Sequence, residues 1–512
     1  MKTNTTKRAL LLSVISIVVC LTMLVGSTFA WFTDNAATSV NTIQAGTLDV
    51  GLEYLNKSGE WENAEGKTLD FIKADGHEDE PILWEPGCTY NLPKIKITNN
   101  GNLAFKYKIV LSGIKGDDEL NEVIDWTIEG IEPEADHEYH LKPGDEPHEI
   151  TISGHMQETA GNEYQGKGIY GIAIAVYATQ DTVEFDSSTD QYDKDAEYLI
   201  TDATELAAAL SDPNGPENVK LESDISYALP LNPDGSCTTF ITIPKDKEKH
   251  IDLAGHNLIF DTKGVTKDSN YQVISNKGNL TIENSTETEA RIALTHNGKN
   301  MEWNALSSII MTSGGTVDIK DNVTLEHKGG TDMAFCIDIQ ENNGLTPTVN
   351  INGGTLKSEY TAIRMFGGWE TAGHPVGEIL NVNDGYIYGE ARGVWVQHFY
   401  GTATVNVFGG KIESPAHAVF ADGYQTNADI LARESTKINI NITGGQLISH
   451  RSVKVDGEGN TMCVGALSVY RGETDQYADK ITLNVKEDCL INNDGGYRYV
   501  IFKGYYESVY TL

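Results

Sequence analysis

The sequence predicts an all-β protein made of two units, an antiparallel sandwich followed by a solenoid of stacked coils. Three observations lead to this prediction. Strand-like runs separated by Asn-Gly, Pro-Gly and Gly-rich turns recur through residues 46–178. A motif of strand, glycine corner and second strand recurs between residues 317 and 492. The chain has 512 residues, which is more than one hydrophobic core usually serves.

The first thirty residues have the layout of an export signal. A basic start is followed by the apolar run "ALLLSVISIVVCLTMLVG". Thr28 and Ala30 then place small residues at the −3 and −1 positions of a cut before Trp31. We therefore expect a signal peptide over residues 1–30. The apolar run is close to the length that spans a bilayer, so an uncleaved anchor is the alternative.

The sandwich is predicted over residues 31–180. Its strands are read from runs of alternating or continuous apolar residues bounded by turn residues. These runs lie at 46–54, 93–98, 103–111, 148–153 and 168–178. Short strands at this spacing are typical of two antiparallel sheets packed face to face.

Three separated stretches of this unit resemble the TasA and camelysin family of exported Gram-positive proteins. They are "GSTFAWFTDNAATSVNTIQAGTLDV" (26–50), "LWEPGCTYNLPKIKITNNGNLAFKYKIVLSGI" (83–114) and "YQGKGIYGIAIAVYATQ" (164–180). The resemblance implies a jelly-roll fold, cleavage by a SipW-type signal peptidase, and secretion to the extracellular matrix or cell surface of a Gram-positive bacterium. It also implies biofilm-matrix fibres, in which the freed N-terminal segment of one subunit completes the sheet of the next.

Under this resemblance Trp31 and Phe32 lead a donor strand. The backbone of that strand would pair with the open edge of a neighbour, while the aromatic rings fill pockets. The neighbour would be a second copy or a TasA-like fibre subunit. The alternative is that both rings pack within their own domain.

The camelysin branch of the family has been described as metallopeptidase-like, which raises the question of zinc. The chain has no H-E-x-x-H motif. "HEYH" at 137–140 places its histidines three residues apart, whereas the helical zinc motif needs a spacing of four. The acidic surroundings favour a surface loop, so no metal ligand is predicted.

An acidic linker is predicted at 181–199, and a β-helix at 200–512. The stretch "ITDATELAAALSDPNGPENVKLESDI" predicts a short strand, an amphipathic helix opened at Asp202 or Thr204, and a returning strand. This order resembles the entry into right-handed parallel β-helix domains of the pectate-lyase-like superfamily, in which a helix caps the first coil.

Internal repeats support the solenoid without any family resemblance. The clearest copies are "VNINGGTLKS" at 349, "LNVNDGYIYG" at 380, "VNVFGGKIES" at 405 and "INITGGQLIS" at 440. Each copy is a strand, a Gly-Gly or Asp-Gly corner that tolerates positive φ, and a second strand. Apolar residues such as Val349, Ile351 and Leu356 should face inward, and stacking of the coils supplies the core.

A second motif lies between these copies and predicts another wall of the solenoid. Alternation along its strands places Arg364, Trp395 and Phe420 outside in one ladder, with Arg364 over the ring of Trp395. Together with Gln397 and Asp422, this ladder resembles a sugar-binding platform. The alternative is that the long loops beside it fold over the ladder and bury it.

Many parallel β-helices cleave polysaccharides, so a lyase or hydrolase is the main competing interpretation. Such an enzyme needs clustered carboxylates for calcium or for acid–base catalysis. Asp338, Asp384 and Asp422 fall in the motif columns, but Asp384 sits at a corner glycine position. The alignment places Asp338 two coils from Asp422, with Phe366 and Gln397 between them in the same column, and yields no acid–base pair. We therefore predict no catalytic and no cofactor-binding residue.

The formal charge of −36 argues against a nucleic-acid partner, which requires a basic face. Calcium binding would rest on acidic composition alone, since no EF-hand loop is present. The combined prediction is a secreted, noncatalytic matrix or cell-surface protein. Its sandwich would assemble or dock by strand addition, and its β-helix would adhere to glycans or to other surface proteins.

Overall fold

A computed structural model describes residues 48–510 apart from a set of short segments. The positions left out of this range are 66, 68, 74–75, 78–81, 117, 122, 134–136, 168, 182–196, 268, 298–305, 331–332, 341–344, 368–376, 399–400, 423–436, 452, 456–460, 471–477, 494–496 and 503–508.

The N-terminal unit consists of two antiparallel sheets. The larger sheet contains β1 (Val50–Leu55), β2 (Trp61–Asn63), β3 (Thr89–Asn91), β4 (Ile95–Asn99), β6 (Ile124–Glu129) and β8 (His148–Met156). The smaller sheet contains β5 (Phe105–Gly116), β7 (Tyr139–Leu141) and β9 (Ile169–Gln180). A short helix α1 (Asp118–Asn121) and a 3₁₀ turn (Asn162–Tyr164) connect strands. In the smaller sheet, β5 lies between β7 and β9.

The two sheets share one hydrophobic core. Ile95 and Ile97 on β4, and Phe105 and Tyr107 on β5, are all at most 1% exposed and belong to the same cluster. The structure has the predicted antiparallel pairing and a strand in each of the five predicted regions. The sequence analysis did not predict the strands β2, β3, β6 and β7. The jelly-roll connectivity stays a prediction.

The C-terminal unit is built from three long sheets, whose strands pair in parallel from β10 to β39. The first sheet contains β10 (Tyr198–Ile200), β11 (Asn218–Leu221), β14 (Glu248–Asp252), β17 (Asn279–Glu283), β20 (Thr316–Ile319), β23 (Thr348–Ile351), β26 (Ile379–Val382), β29 (Thr402–Val407), β32 (Lys437–Ile442) and β37 (Ile481–Val485).

The second sheet contains β12 (Ile225–Ala228), β15 (Leu258–Asp261), β18 (Ala290–Thr295), β21 (Val323–Lys328), β24 (Thr355–Ser358), β27 (Tyr386–Gly389), β30 (Lys411–Ser414), β33 (Gln446–Ser449) and β38 (Leu490–Asn492).

The third sheet contains β13 (Ile241–Ile243), β16 (Tyr271–Asn276), β19 (Ser307–Thr312), β22 (Ala334–Gln340), β25 (Thr361–Gly367), β28 (Arg392–His398), β31 (His417–Asp422), β36 (Gly465–Tyr470) and β39 (Tyr497–Phe502), with β40 (Val509–Tyr510) antiparallel to β39. A separate hairpin pairs β34 (Val453–Val455) with β35 (Thr461–Cys463), and 3₁₀ turns lie at Ala478–Lys480 and Glu487–Cys489.

From β11 to β39, apart from the hairpin β34–β35, successive strands enter the first, second and third sheets in turn, so each group of three makes one coil. This arrangement is consistent with a β-helix solenoid. Val349, Leu380, Val405 and Ile440 are register neighbours in the first sheet, and all four are 0% exposed. Burying a side chain of this size contributes about 1.5–3 kcal/mol, so stacked columns of this kind stabilise the rod. The inward positions predicted from the repeats are confirmed.

Glycines make the corner between the first and second sheets. Gly354, Gly385, Gly410 and Gly445 have φ of 70°, 95°, 70° and 72°. A Cβ added at Gly410 would lie 2.7 Å from the carbonyl oxygen of Gly385 on the preceding coil. The corner therefore needs glycine both for its left-handed backbone and for the close stacking of coils.

Helix α2 (Ala203–Ser211) covers the start of the solenoid. It begins after Asp202, one of the two predicted N-cap candidates, whose Oδ1 accepts hydrogen bonds from the backbone N–H groups of Thr204 and Glu205. Leu206 and Leu210 are buried against the first coils. The helix thus closes the hydrophobic end of the rod.

A buried lysine fixes the other end of this helix. Lys249 is 1% exposed, and its Nζ donates to the backbone carbonyls of Ala209, Asp212, Gly215 and Pro216 at 2.9–3.1 Å. A cation at the C-terminus of a helix also complements the helix dipole. Burial lowers the pKa of Lys249 to about 8.

The sandwich contacts the same helix. Val110 of β5 and Tyr177 of β9 belong to the hydrophobic cluster of the solenoid. The Tyr177 hydroxyl donates to the carbonyl oxygen of Glu205 at 2.5 Å, and the Tyr198 hydroxyl donates to Glu138 Oε1 at 3.0 Å. The acidic composition of residues 181–199 gave no indication of this packed contact between the two units.

Candidate functional site: the outer faces of the solenoid

The ladder predicted on the third sheet has the predicted register. Arg364 pairs with Trp395, and Trp395 pairs with Phe420, on neighbouring coils. The residues on either side of them in each strand are 0% exposed and face the core. Strand alternation therefore placed all three side chains correctly on the outside of the coil.

The expectation that this ladder is exposed is wrong. Arg364 is 1% exposed, and Trp395 and Phe420 are each 8% exposed. Both rings belong to a second hydrophobic cluster outside the coil core, which also contains Leu306 and Phe335. Transfer of large aromatic rings out of water is favourable, so a folded chain tends to bury them. Strand alternation predicts on which side of its strand a side chain lies, but it does not predict which groups pack over that side.

Arg364 also has a different partner from the predicted one. Its Nε and Nη2 donate to the two carboxylate oxygens of Asp338 at 2.8 Å each. Its guanidinium carbon lies 4.7 Å from the ring centroids of both Phe335 and Phe366. The ring of Trp395 is instead covered by Arg392, at 4.3 Å.

The reason for this difference is the register between β22 and β25. Asp338 pairs with Arg364, so the predicted alignment of Asp338 with Phe366 was shifted by two residues. Asp338 therefore does not share a column with Asp422, whose register partner is Tyr470. The Asp338 carboxylate accepts from Arg364 and from Gln340 Nε2, which ties up both of its oxygens.

The remaining platform candidates lie at the ends of their strands. Gln397 is half-buried, and its Oε1 has no hydrogen-bond partner among the described residues. Asp422 is the last residue of β31. Glycan binding by the five platform residues stays a prediction, and the burial of Arg364, Trp395 and Phe420 does not support it.

A polar ladder that the sequence analysis missed lies on the outside of the first sheet. Each amide Nδ2 donates to the side-chain oxygen on the preceding coil, in the order Asn441 to Asn406, Asn406 to Asn381, Asn381 to Asn350, and Asn350 to Asp318. These distances are 2.7–3.0 Å. We call Asn350, Asn381, Asn406 and Asn441 the amide ladder. The recurring Asn in V-N-I, L-N-V, V-N-V and I-N-I was the signal that could have revealed it.

The outside of the second sheet carries a charged network. Glu413 accepts hydrogen bonds from Tyr386, Lys411 and His450. These donors lower the pKa of Glu413 against the opposing effect of its burial. The carboxylate is thus held in its ionised form by three partners.

The segment expected to be cleaved and donated, containing Thr28, Ala30, Trp31 and Phe32, lies outside the described residues. The histidines of "HEYH" are described. His137 is exposed with φ of 57°, and His140 Nδ1 lies 2.8 Å from Asp181 Oδ2. In the part of the chain that the structure describes, no group of three or more His, Cys, Asp or Glu side chains could hold a metal ion. The described residues therefore do not fit a zinc peptidase site.

Comparison with known families finds one match. Residues 5–56 match the family model described as camelysin metallo-endopeptidase. The match supports the resemblance predicted for the N-terminus and is compatible with a secreted or cell-surface protein; it ends at Asn56, directly after β1. No characterised protein matches the chain at a significant level. Within the described residues, no helix is long and apolar enough to cross a membrane.

Proposed function

We propose that the chain is a secreted, noncatalytic protein of the extracellular matrix or cell surface, in which the sandwich assembles or docks by strand addition. The single observation that carries this proposal is the camelysin match over residues 5–56, which joins the expected donor segment to the first strand of the sandwich. The solenoid would then be the displayed, adhesive part of the molecule.

The sandwich offers an edge suited to strand addition. The 12-residue strand β9 pairs with β5 on one side, and no described strand forms a ladder with its other side. Near the C-terminal end of β9, Thr179 Oγ1 donates to the carbonyl oxygen of Glu197, so the open stretch lies before Thr179. Ile174, Val176 and Ala178 on β9 pack against the sandwich core, so the strand is held in place by its inner face. A strand at the edge of a sheet is a template onto which another strand can add.

The noncatalytic part of the proposal is supported by the state of the candidate carboxylates. Asp338 is bonded to Arg364 and Gln340, and Asp384 Oδ1 accepts from the backbone N–H of Gly385. A general acid or base needs a carboxyl group that can reach a substrate. Asp338 is 0% exposed and is not placed for that role, whereas Asp384 is exposed at its corner.

The test is assembly of the mature secreted protein. Deleting residues 31–37 should abolish fibre formation, or docking onto TasA-like fibres, in sedimentation and electron microscopy. A synthetic peptide of residues 31–47 should inhibit assembly of the intact protein, whereas a scrambled peptide of the same composition should not. Undiminished assembly of the deletion variant would reject strand addition, and a mature N-terminus well past Phe32 would remove the donor segment.

A further inference from the structure

We propose that the outer face of the first sheet, over four consecutive coils, is a binding site for a neutral polysaccharide, with Phe408 as its stacking ring. This inference rests on the proposed surface function. It moves glycan recognition from the buried ladder of the third sheet to a different face of the rod. We call this surface the neutral face.

The neutral face lacks charge in a chain that is rich in it. Its outward side chains alternate with buried ones over residues 348–352, 379–383, 404–408 and 439–443. In order, the outward residues are Thr, Asn, Asn; Ile, Asn, Asn; Thr, Asn, Phe; and Asn, Asn, Thr. None of these twelve residues is ionisable, although 22% of the chain is Asp, Glu, Lys or Arg. The exposed Lys437 at the start of β32 lies outward beside them, at the edge of the face.

Charged residues return at both ends of the neutral face. The preceding coil carries Asp318 and Lys320 at the equivalent positions, and the following coil carries Lys486. The second sheet carries Lys411 and Glu413 on its outer face. Four strands at the usual spacing make a flat surface about 14 Å long, which is enough for a short stretch of sugar chain.

The ring of Phe408 is open to solvent on this surface. It is 54% exposed and follows Val407, which pairs with Val382 beside Asn383. A single exposed aromatic residue is common on protein surfaces and would carry no argument alone. Here the ring stands in a column with Asn352 and Asn383, whose side chains are hydrogen-bonded to each other at 2.7 Å.

The chemistry of the neutral face matches a sugar. Hydroxyl groups both donate and accept, as do amide side chains, and sugar C–H faces pack on aromatic rings. Within the amide ladder each amide donates one N–H along the rod, which leaves a second N–H and an oxygen lone pair for a ligand. The ladder holds these groups at a fixed spacing and orientation, so little side-chain entropy is lost on binding.

Electrostatics selects the neutral class of polysaccharide. The chain has a formal charge of −36, and the twelve residues of the neutral face include no cation to offset repulsion of uronate, sulfate or phosphate groups; Lys437 is confined to its edge. A hydroxyl-rich, uncharged chain lying along the rod is the partner that this surface fits.

The experiment is affinity electrophoresis of the full secreted chain in native gels containing dextran, laminarin or soluble starch, with polygalacturonate as the anionic comparison. At least one neutral polysaccharide should retard the wild type. Phe408→Ala should weaken that retardation about tenfold, and Asn383→Glu should abolish it. Both positions are exposed, so both variants should keep the melting temperature of the wild type. Leu231→Ala, at a residue 36% exposed elsewhere on the solenoid, is the matched control and should bind normally.

Three results would overturn the inference: no retardation by any neutral polysaccharide, equal retardation of Phe408→Ala and wild type, or equal retardation by polygalacturonate. A change in the sedimentation coefficient of Phe408→Ala without polysaccharide would assign the face to contact between copies instead. Fibre assembly of the same variants is measured in parallel. Assembly without retardation would leave the proposed matrix function intact while this inference fails.

Discussion

Removing the Arg364 guanidinium should destabilise the solenoid much more than removing the entire ion pair. Arg364 is 1% exposed and Asp338 is 0% exposed, and two hydrogen bonds of 2.8 Å join them. In Arg364→Met the Asp338 carboxylate stays buried, with Gln340 as its remaining donor among the described contacts. The double variant Arg364→Met, Asp338→Leu buries no charge at this position.

The magnitude follows from the burial of both partners. Breaking a fully buried pair on one side costs about 3–5 kcal/mol, because an uncompensated charge is left in a low-dielectric site. The single variant also loses the two aromatic contacts of Arg364, to Phe335 and Phe366 at 4.7 Å. Replacing both charges by apolar groups of similar volume is often neutral or stabilising. The double variant should therefore exceed Arg364→Met in stability by about 3 kcal/mol or more.

Thermal unfolding by circular dichroism and calorimetry gives the comparison. A loss of about 4 kcal/mol corresponds to a fall of about 6 °C in melting temperature for a unit of about 310 residues. Because solenoid coils can unfold locally, hydrogen exchange of peptides covering β22 and β25 should report the change directly. Lys357→Met removes an exposed cation on β24 and serves as the control, with an expected change within about 0.5 kcal/mol.

Two outcomes would refute this reasoning. A melting temperature for Arg364→Met within about 1.5 °C of the wild type, the shift of a change of about 1 kcal/mol, would mean that the Asp338 carboxylate is not confined as the structure shows. A double variant as unstable as Arg364→Met would mean that the side-chain shapes, and not the paired charges, determine stability at this position.

Three further predictions concern the ends, corners and interior of the rod. Lys249→Met should lower the free energy of unfolding by about 3 kcal/mol, because four backbone carbonyls lose their hydrogen-bond donor. Hydrogen exchange should become faster in residues 203–211 but not in β25, and an equal increase in both regions would contradict this. Gly410→Ala should lower the free energy of unfolding by about 2 kcal/mol or more in melting experiments. Gly59→Ala, at a glycine with φ of 80° and no atom within 4 Å of an added Cβ, should lower it less. Equal losses would mean that close contact between coils does not require glycine at position 410. Burial lowers the pKa of His327 to about 3, below its unfolded value near 6.5. Between these two values the unfolded chain binds more protons than the folded chain, so the free energy of unfolding falls as the pH drops through this window, by up to about 1.4 kcal/mol per pH unit. Urea midpoints of His327→Gln should show a shallower fall between pH 6 and 4 than those of the wild type.

Period-two alternation and corner glycines predicted much of the fold. The pattern of "VNINGGTLKS" correctly placed Val349 and Ile351 inside and a positive-φ glycine at the corner. The helix beginning after Asp202 followed from a local capping pattern. These features depend on neighbours along the chain, and such neighbours are visible in one sequence.

Contacts between coils were harder to predict. The pairing of Asp338 with Arg364 depends on a register between strands that are 26 residues apart in sequence, and an alignment shifted by two residues keeps the same inward and outward sides. Whether Trp395 is covered depends on segments beyond its own strand. The amide ladder also required comparison of four coils at one position, because a single Asn on a strand is not distinctive.

The three outer faces of the solenoid have different chemistry, although the same interior supports them all. The third sheet buries Trp395 and Phe420 under neighbouring groups, and the second sheet ties Glu413 into an ion-pair network. Over the same coils the first sheet presents uncharged amides and the exposed ring of Phe408. Sealed rings and satisfied charges stabilise the rod itself, whereas open amides beside an open ring are available to a partner. Adhesion through the rod should therefore be sensitive to Phe408→Ala and insensitive to Lys411→Ala, and the opposite order would place the ligand on the second sheet.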